Sequence, residues 1–328
     1  MARQLALLLL LLLAPTTAPA QEAPRFALPL ECDFATLCYV QNYVDLDPGP
    51  GFADPTCGPL GYDGDRGTDL AVPTLTALRA GVTVRAAADG VVKAIRDGEP
   101  ENFDLTFDPE AIRGREAGNA VLLDHGGGWE TQYNHLQEGS VAVTPGERVR
   151  REQPLGRMGL SGRTQFPHLE FAVRKDGTAI DPFTGRDGGG GCGTGGDGLW
   201  TAEAQAALAY RPGGIQHLGF ATQRPSLLDA LDGAYDGAPS AESPALVGWA
   251  VAWGLRAGDR EYLRLIGPNG QRLAERQGEI PDTKARWFSF AGLRRPPQGW
   301  PAGTYRVEYR LERDGATLAL QNETFALP

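Results

Sequence analysis

The segment Gln165-Phe166-Pro167-His168-Leu169-Glu170-Phe171 carries two groups, one residue apart, that can move a proton or hold a cation. Read as a strand, it sends His168 and Glu170 to one face and Leu169 and Phe171 to the other, because side chains alternate with period two. One face is then chemical and the other belongs to a core. Pro167 stands just before the run, where a missing N–H is tolerated. The preceding Gly156-Arg-Met-Gly-Leu-Ser-Gly162 is a glycine-rich approach that lets backbone come close to a ligand. A lone His-x-Glu pair is most simply a half-buried surface strand. Here Asp65-Arg-Gly-Thr-Asp69 and Tyr133-Asn-His135-Leu136 supply residues of the same kind from two other segments.

The elements that must position these groups are short. Between Gly61 and Phe183, apolar runs alternate with Gly and Asp, and the expected strands are Val82–Ala86, Val91–Ile95, Val121–Asp124, Thr131–Leu136, Leu155–Met158 and Leu169–Val173. That spacing predicts an antiparallel sheet or a small barrel-like sandwich. The acidic stretch 97–118 interrupts the rhythm and reads as a solvated insertion, a loop of the kind that can rim a groove. The glycine run around Cys192 reads as a flexible linker, and Thr201 caps a short helix up to Ala209. Beyond Pro244 come longer alternating runs, with the turn Gly267-Pro-Asn-Gly270 among them, the pattern of a small β-sandwich. Its tryptophans, Trp249, Trp253, Trp287 and Trp300, are assigned to the core ahead of a carbohydrate-stacking platform.

The expected class is therefore mainly β, an antiparallel sheet or barrel-sandwich domain followed by a small β-sandwich. The expected division is a signal peptide at 1–20, a disulfide-tied segment at 21–59, the chemical domain at 60–185, the linker at 186–199, a helix and connection at 200–243, and the sandwich at 244–328. A length of 328 residues agrees with more than one core.

A formal charge of −10 and a pI near 5.0 argue against a nucleic-acid partner, which needs a basic footprint. The start, Met1-Ala-Arg3 followed by an apolar run and Ala18-Pro19-Ala20, has the three parts of a secretory signal, and its apolar run is too short to span a bilayer. A periplasmic or secreted protein with no membrane span after cleavage is expected. Cys32, Cys38, Cys57 and Cys192 form an even set suited to that compartment. Four cysteines allow three pairings; Cys32–Cys38 with Cys57–Cys192 is favoured, and without a Cys-x-x-Cys spacing a cysteine zinc site is not.

The order and spacing of Asp65-x-x-x-Asp69, Ala86-Ala-Ala-Asp-Gly90, His125-Gly-Gly-Gly-Trp129, Tyr133-Asn-His135, Pro145-Gly146 and His168-x-Glu170 resemble the lysostaphin/LytM-type metallopeptidases, zinc endopeptidases that cut bacterial peptidoglycan. The resemblance covers roughly Cys57 to Phe183. It implies that Asp69 stands at a metal-ligand position and that Asp65 and Glu170 stand where the family has its two ligand histidines. It further implies that His135 and His168 match the histidines that orient water and stabilise the oxyanion, while His125 is structural. His217 lies outside it and reads as a packed histidine.

Three carboxylates change the chemistry. Two imidazoles and one carboxylate leave zinc net positive, which acidifies its bound water; three carboxylates cancel that charge. All-oxygen ligands favour Mg²⁺, Mn²⁺ or Ca²⁺ over zinc. Without a metal, the carboxylates must protonate or find a cation, and Arg66 and Arg163 are nearest in sequence. Zinc, another divalent ion and no metal are therefore the alternatives. The corresponding functions are a degenerate domain that binds peptidoglycan or a wall hydrolase and regulates cleavage, and an active endopeptidase with a carboxylate-rich site.

Overall fold

A computed structural model of the chain describes residues 22–106, 108–193 and 195–328; the expected signal peptide lies outside the described residues. Strand makes up 41% and helix 6%, so the fold is mainly β. The first part contains β1 (Tyr39–Asn42), β2 (Thr68–Ala71), helix α1 (Leu75–Arg79), β3 (Thr83–Arg85), β4 (Gly90–Arg96) and β5 (Asn119–Gly126). It continues with β6 (Trp129–Leu136), β7 (Arg148–Val149), β8 (Pro154–Arg157), β9 (His168–Lys175) and β10 (Thr178–Ile180). Then come α2 (Ala202–Ala207), β11 (Gly214–Ala221), α3 (Leu227–Asp232), β12 (Ala245–Leu255) and β13 (Arg260–Ile266). The chain closes with β14 (Arg272–Glu279), β15 (Lys284–Arg294), β16 (Gly303–Arg313) and β17 (Ala316–Leu327).

The main sheet runs β1-β2-β9-β6-β5-β4-β7, with β10 paired to β9, and its named pairs are antiparallel. Period two is visible in its centre. Leu169, Phe171 and Val173 on β9, with Val121 and Leu123 on β5 and Tyr133 on β6, are fully buried, while His168 and Glu170 share the opposite face. Each such apolar side chain contributes about 1.5–3 kcal/mol on burial. The Tyr133 hydroxyl accepts a hydrogen bond from the Ala87 N–H at 2.8 Å, so the core tyrosine leaves no lost partner.

The second part is two packed sheets, β11-β12-β15 and β14-β13-β16-β17. Trp249, Trp253 and Trp300 are buried, as core residues. Trp253 packs across the boundary, its ring 4.9 Å from that of Tyr39. Gln41 donates to the Ala285 carbonyl at 3.0 Å and Gln216 to the Pro73 carbonyl at 2.6 Å, so β1 and the turn after β2 are fastened to the sandwich.

Three stretches do more than their sequence suggests. The disulfide-tied segment 21–59 adds β1 to the main sheet; four residues buried on both faces show no alternation to read. The connection 200–243 holds β11, whose alternation is broken by a bulge between Ile215 and His217, and which joins the sandwich through β12. The glycine run is not a free linker. Gly189, Gly191 and Gly193 donate backbone hydrogen bonds to Asp45, Leu46 and Pro55, and they do so at positive φ (81°, 87° and 127°), which glycine adopts without strain. Cys32–Cys38 and Cys57–Cys192 are both formed, with Cα atoms 6.1 and 5.1 Å apart. In the acidic insertion, Asp97 accepts from the Gly139 N–H, and Glu101 from the Glu138 and Leu160 N–H groups, so these acids tie the loop down.

Candidate functional site

Four polar residues stand in one row across four strands. Asn42 on β1 is in register with Asp69 on β2, Asp69 with Glu170 on β9, and Glu170 with Asn134 on β6. Two carboxylates directly opposite each other are unfavourable in a sheet. Each is met from its outer side by an amide: Asn42 Nδ2 donates to Asp69 Oδ2 at 2.8 Å, and Asn134 Nδ2 to Glu170 Oε2 at 3.0 Å. Gln132 orients Asn134 at 2.7 Å, and Arg174 orients Gln132 at 2.7 Å.

The two imidazoles close over this row. His168 is there by alternation. His135 is not, since period two would send it to the core side with Tyr133. Its φ of 61° breaks the alternation and allows consecutive residues, Asn134 and His135, both to reach Glu170. Backbone bonds from His135 N to the Ala117 carbonyl, and from Gly159 N to the His135 carbonyl, hold this conformation.

His135 Nδ1 lies 2.8 Å from the Ser161 carbonyl and His168 Nδ1 2.8 Å from the Phe166 carbonyl. A carbonyl only accepts, so each Nδ1 carries a proton and each Nε2 is turned to the row. His135 Nε2 is 3.3 Å from Glu170 Oε2, and His168 Nε2 is 3.6 Å from Asp69 Oδ1, too far for a hydrogen bond. The rings are 4.7 Å apart, and Phe166 stacks on His168 at 4.2 Å.

Asp65 completes the cluster from the turn before β2. Its Oδ1 accepts from the Gly67 N–H at 3.2 Å, while its buried Oδ2 has no hydrogen-bond partner. A Cβ on Gly67 would lie 2.6 Å from Glu170 Cγ, so this glycine makes the room Glu170 occupies. Tyr62, nearly half exposed, stands beside the carboxylates; burial and then the charges of Asp65, Asp69 and Glu170 push its hydroxyl pKa up.

Burial, then Asp69 and Glu170, raise the Asp65 pKa well above its ordinary value. Burial, then Glu170, push Asp69 up to about 7. Burial acts to raise Glu170 too, but the His135 hydrogen bond and charge, with Asn134, outweigh it and hold Glu170 at about 2. For His135, burial is opposed and overcome by Glu170, so its pKa is raised; burial and then the His135 charge lower His168 to about 3. These directions favour charge on the facing His135–Glu170 pair, keep His168 neutral, and make the Asp65 carboxyl hold its proton more tightly than an ordinary carboxyl.

All five residues singled out by sequence, Asp65, Asp69, His135, His168 and Glu170, therefore meet. Asn42, Asn134, Tyr62 and Gly67 were missed. Asn134 lies inside the Tyr133–His135 fragment, and Gly67 between the two aspartates. Asn42 has no sequence signal, because only the β1–β2 pairing brings it to Asp69. The arginine expected beside the carboxylates, Arg66 or Arg163, is not the group that faces them: His135 faces Glu170, with amides in support, and both arginines are exposed. His125 is structural, held between the Asp89 carbonyl and Thr131 Oγ1. His217 packs against Trp249 at 5.0 Å.

These donors do not fit a zinc ion. Among the described residues, no three His, Cys, Asp or Glu side chains converge as a metal's ligands do. One oxygen each of Asp69 and Glu170 is already bound to an amide.

An antiparallel sheet gathering two imidazoles and three carboxylates from distant segments is the frame of a peptidase-like domain. Residues 64–182 match Peptidase family M23, and the chain carries a domain of that family. The DD-carboxypeptidase/endopeptidase Mpg of Neisseria meningitidis is 35% identical over 120 residues, covering 36% of this chain and 22% of that protein. The murein hydrolase activator EnvC of Escherichia coli is 33% identical over 102 residues, covering 31% of this chain and 22% of that protein. The chain thus spans less than a quarter of the length of these relatives. A solved zinc-containing peptidase from Vibrio cholerae aligns at 24% identity with a TM-score of 0.33, over 48% of this chain and 39% of that one.

Proposed function

We propose that this is an exported cell-envelope protein whose M23 domain is directed at peptidoglycan but is degenerate, acting as a binding or regulatory factor for wall hydrolysis. The observation that carries this reading is that the Nε2 atoms of His135 and His168 face Glu170 and Asp69 across 3.3 and 3.6 Å. Of the groups needed to orient water or an oxyanion, His135 is thereby engaged with an acid and His168 is directed at one. The likeness to a protein named a murein hydrolase activator supports it. Its partners are peptidoglycan itself or a wall hydrolase, and its place is the periplasm or the medium. Among the described residues, no helix is long and apolar enough to cross a membrane.

The second reading, an active endopeptidase with a carboxylate-rich metal site, is favoured by the unpartnered Asp65 Oδ2, which a cation would satisfy. The likeness to a named endopeptidase also supports it. Metal content and turnover, measured on the purified protein with isolated peptidoglycan, separate the two. The regulatory reading expects binding to sacculi, no stoichiometric metal and no released peptides. Stoichiometric metal with turnover abolished by a chelator would establish the enzyme instead.

A further inference from the structure

A groove of about 540 Å³ opens between the two parts of the chain, on the side of His168 covered by Phe166. Its volume is that of a small-ligand site. Its apolar walls come from Leu105 of the acidic insertion, Phe166, and Leu228 and Leu231 of α3. Leu228 is 41% exposed, so the wall includes uncovered apolar surface.

The polar groups in the groove are few. Arg286 of β15 lies with its guanidinium 5.3 Å from the centre of the Phe166 ring and donates through Nη1 to the Gln165 carbonyl at 3.3 Å. Among the described residues no carboxylate forms an ion pair with it; the buried Tyr39 hydroxyl is its side-chain neighbour. Gln41, 2% exposed, binds the Ala285 carbonyl through Nε2 and leaves its buried Oε1 without a partner. Asp104, exposed, stands at the lip. Buried polar atoms are rarely left unmet, so an unused Gln41 acceptor beside a guanidinium that no carboxylate neutralises marks a groove suited to a further polar ligand.

We propose that this interdomain groove binds a peptide end that carries both a carboxylate and an ammonium on a short apolar body, Arg286 taking the carboxylate and Asp104 the ammonium. A purely anionic ligand would meet Asp104, and a purely cationic one would meet Arg286. A zwitterionic end satisfies both, and the leucines and Phe166 cover its aliphatic part. Arginine suits the carboxylate because its fork matches the two oxygens. The proposal rests on the peptidoglycan-directed reading only in taking the occupant to be a peptide. It gives the sandwich domain a direct share in recognition, since Arg286 belongs to β15.

The test is an NMR titration of the full chain with the tripeptide Leu-Ala-Lys, its C-terminal amide and its Nε-acetyl form. The free tripeptide is expected to bind at least tenfold more tightly than either blocked form. Arg286→Gln should reduce free-tripeptide binding to the level of the amide and leave amide binding unchanged; Arg286→Lys should retain part of it. Asp104→Asn, at an exposed position that does not threaten folding, should equalise the free and acetylated forms. Equal binding of all three peptides, or no binding by any, would overturn the proposal. Sacculus binding measured in parallel keeps the two readings apart: sacculi bound without peptide discrimination removes only this proposal, and peptide discrimination without sacculus binding removes only the proposed function.

Discussion

Asp69 and Glu170 face each other directly across the antiparallel pair β2–β9, and each is bound on its far side by an asparagine, Asn42 and Asn134 respectively. Two acids in register, Asp69 buried and Glu170 partly buried, are tolerated because the row is closed by amide donors and covered by two imidazoles. The stability of this face therefore depends on the neutral amides of Asn42 and Asn134 as well as on the His135 imidazole that faces Glu170.

Asn134→Leu keeps the volume and removes the donor to Glu170 Oε2. A hydrogen bond to a charged group contributes about 1.5–3 kcal/mol, and the loss should appear in full because Glu170 remains ionised beside His135. Urea unfolding of the variant should show a midpoint lowered by that energy divided by the denaturant slope, with the slope itself unchanged. An unaltered midpoint would mean that Asn134 is not a working partner of Glu170.

Gly67→Ala places a methyl group 2.6 Å from Glu170 Cγ. Overpacking of this kind costs about 1–3 kcal/mol. The cost should fall sharply in a Glu170→Ala background, where the opposing atoms are gone, so a double-mutant cycle should report strong coupling. Additive effects would show that the strain lies elsewhere.

Asp65→His together with Glu170→His should restore two imidazoles and the Asp69 carboxylate, the set zinc prefers. Glu170→His alone should destabilise the fold, because it removes the acid facing His135. Equilibrium dialysis should show stoichiometric zinc for the double variant and much weaker binding for each single one. No gain for the double variant would show that the backbone does not direct positions 65, 69 and 170 to a common centre.

Asp181 gives a pH dependence away from the cluster. Burial pushes its carboxyl from 3.8 up to about 6, against hydrogen bonds from Thr184 and Phe183. Between these values the folded chain holds a proton that the unfolded chain releases, so folding is favoured below about pH 4 and this contribution is lost as pH rises through 6. The shift corresponds to roughly 2–3 kcal/mol. Denaturant unfolding from pH 4 to 7 should show the wild type losing stability relative to Asp181→Asn across that window. Parallel profiles would exclude the assignment.

Much of the chemical domain was legible because its signals are local. Period-two alternation placed His168 and Glu170 on one face and Leu169 and Phe171 in the core, and the strands through Tyr133 and Val121 follow the same rule. The substituted ligand positions, Asp65 and Glu170, were visible as residue types. Tertiary structure decided what local pattern does not encode. Asn42 reaches Asp69 only through a pairing made after 26 intervening residues fold, and β1 itself carries no alternation because both its faces are buried. His135 joins Asn134 at Glu170 only because long-range backbone bonds to Ala117 and Gly159 hold it at positive φ, against its own preference. The charge state of the cluster was likewise beyond the sequence, because it depends on which carboxylate each imidazole faces, and register and burial set that geometry.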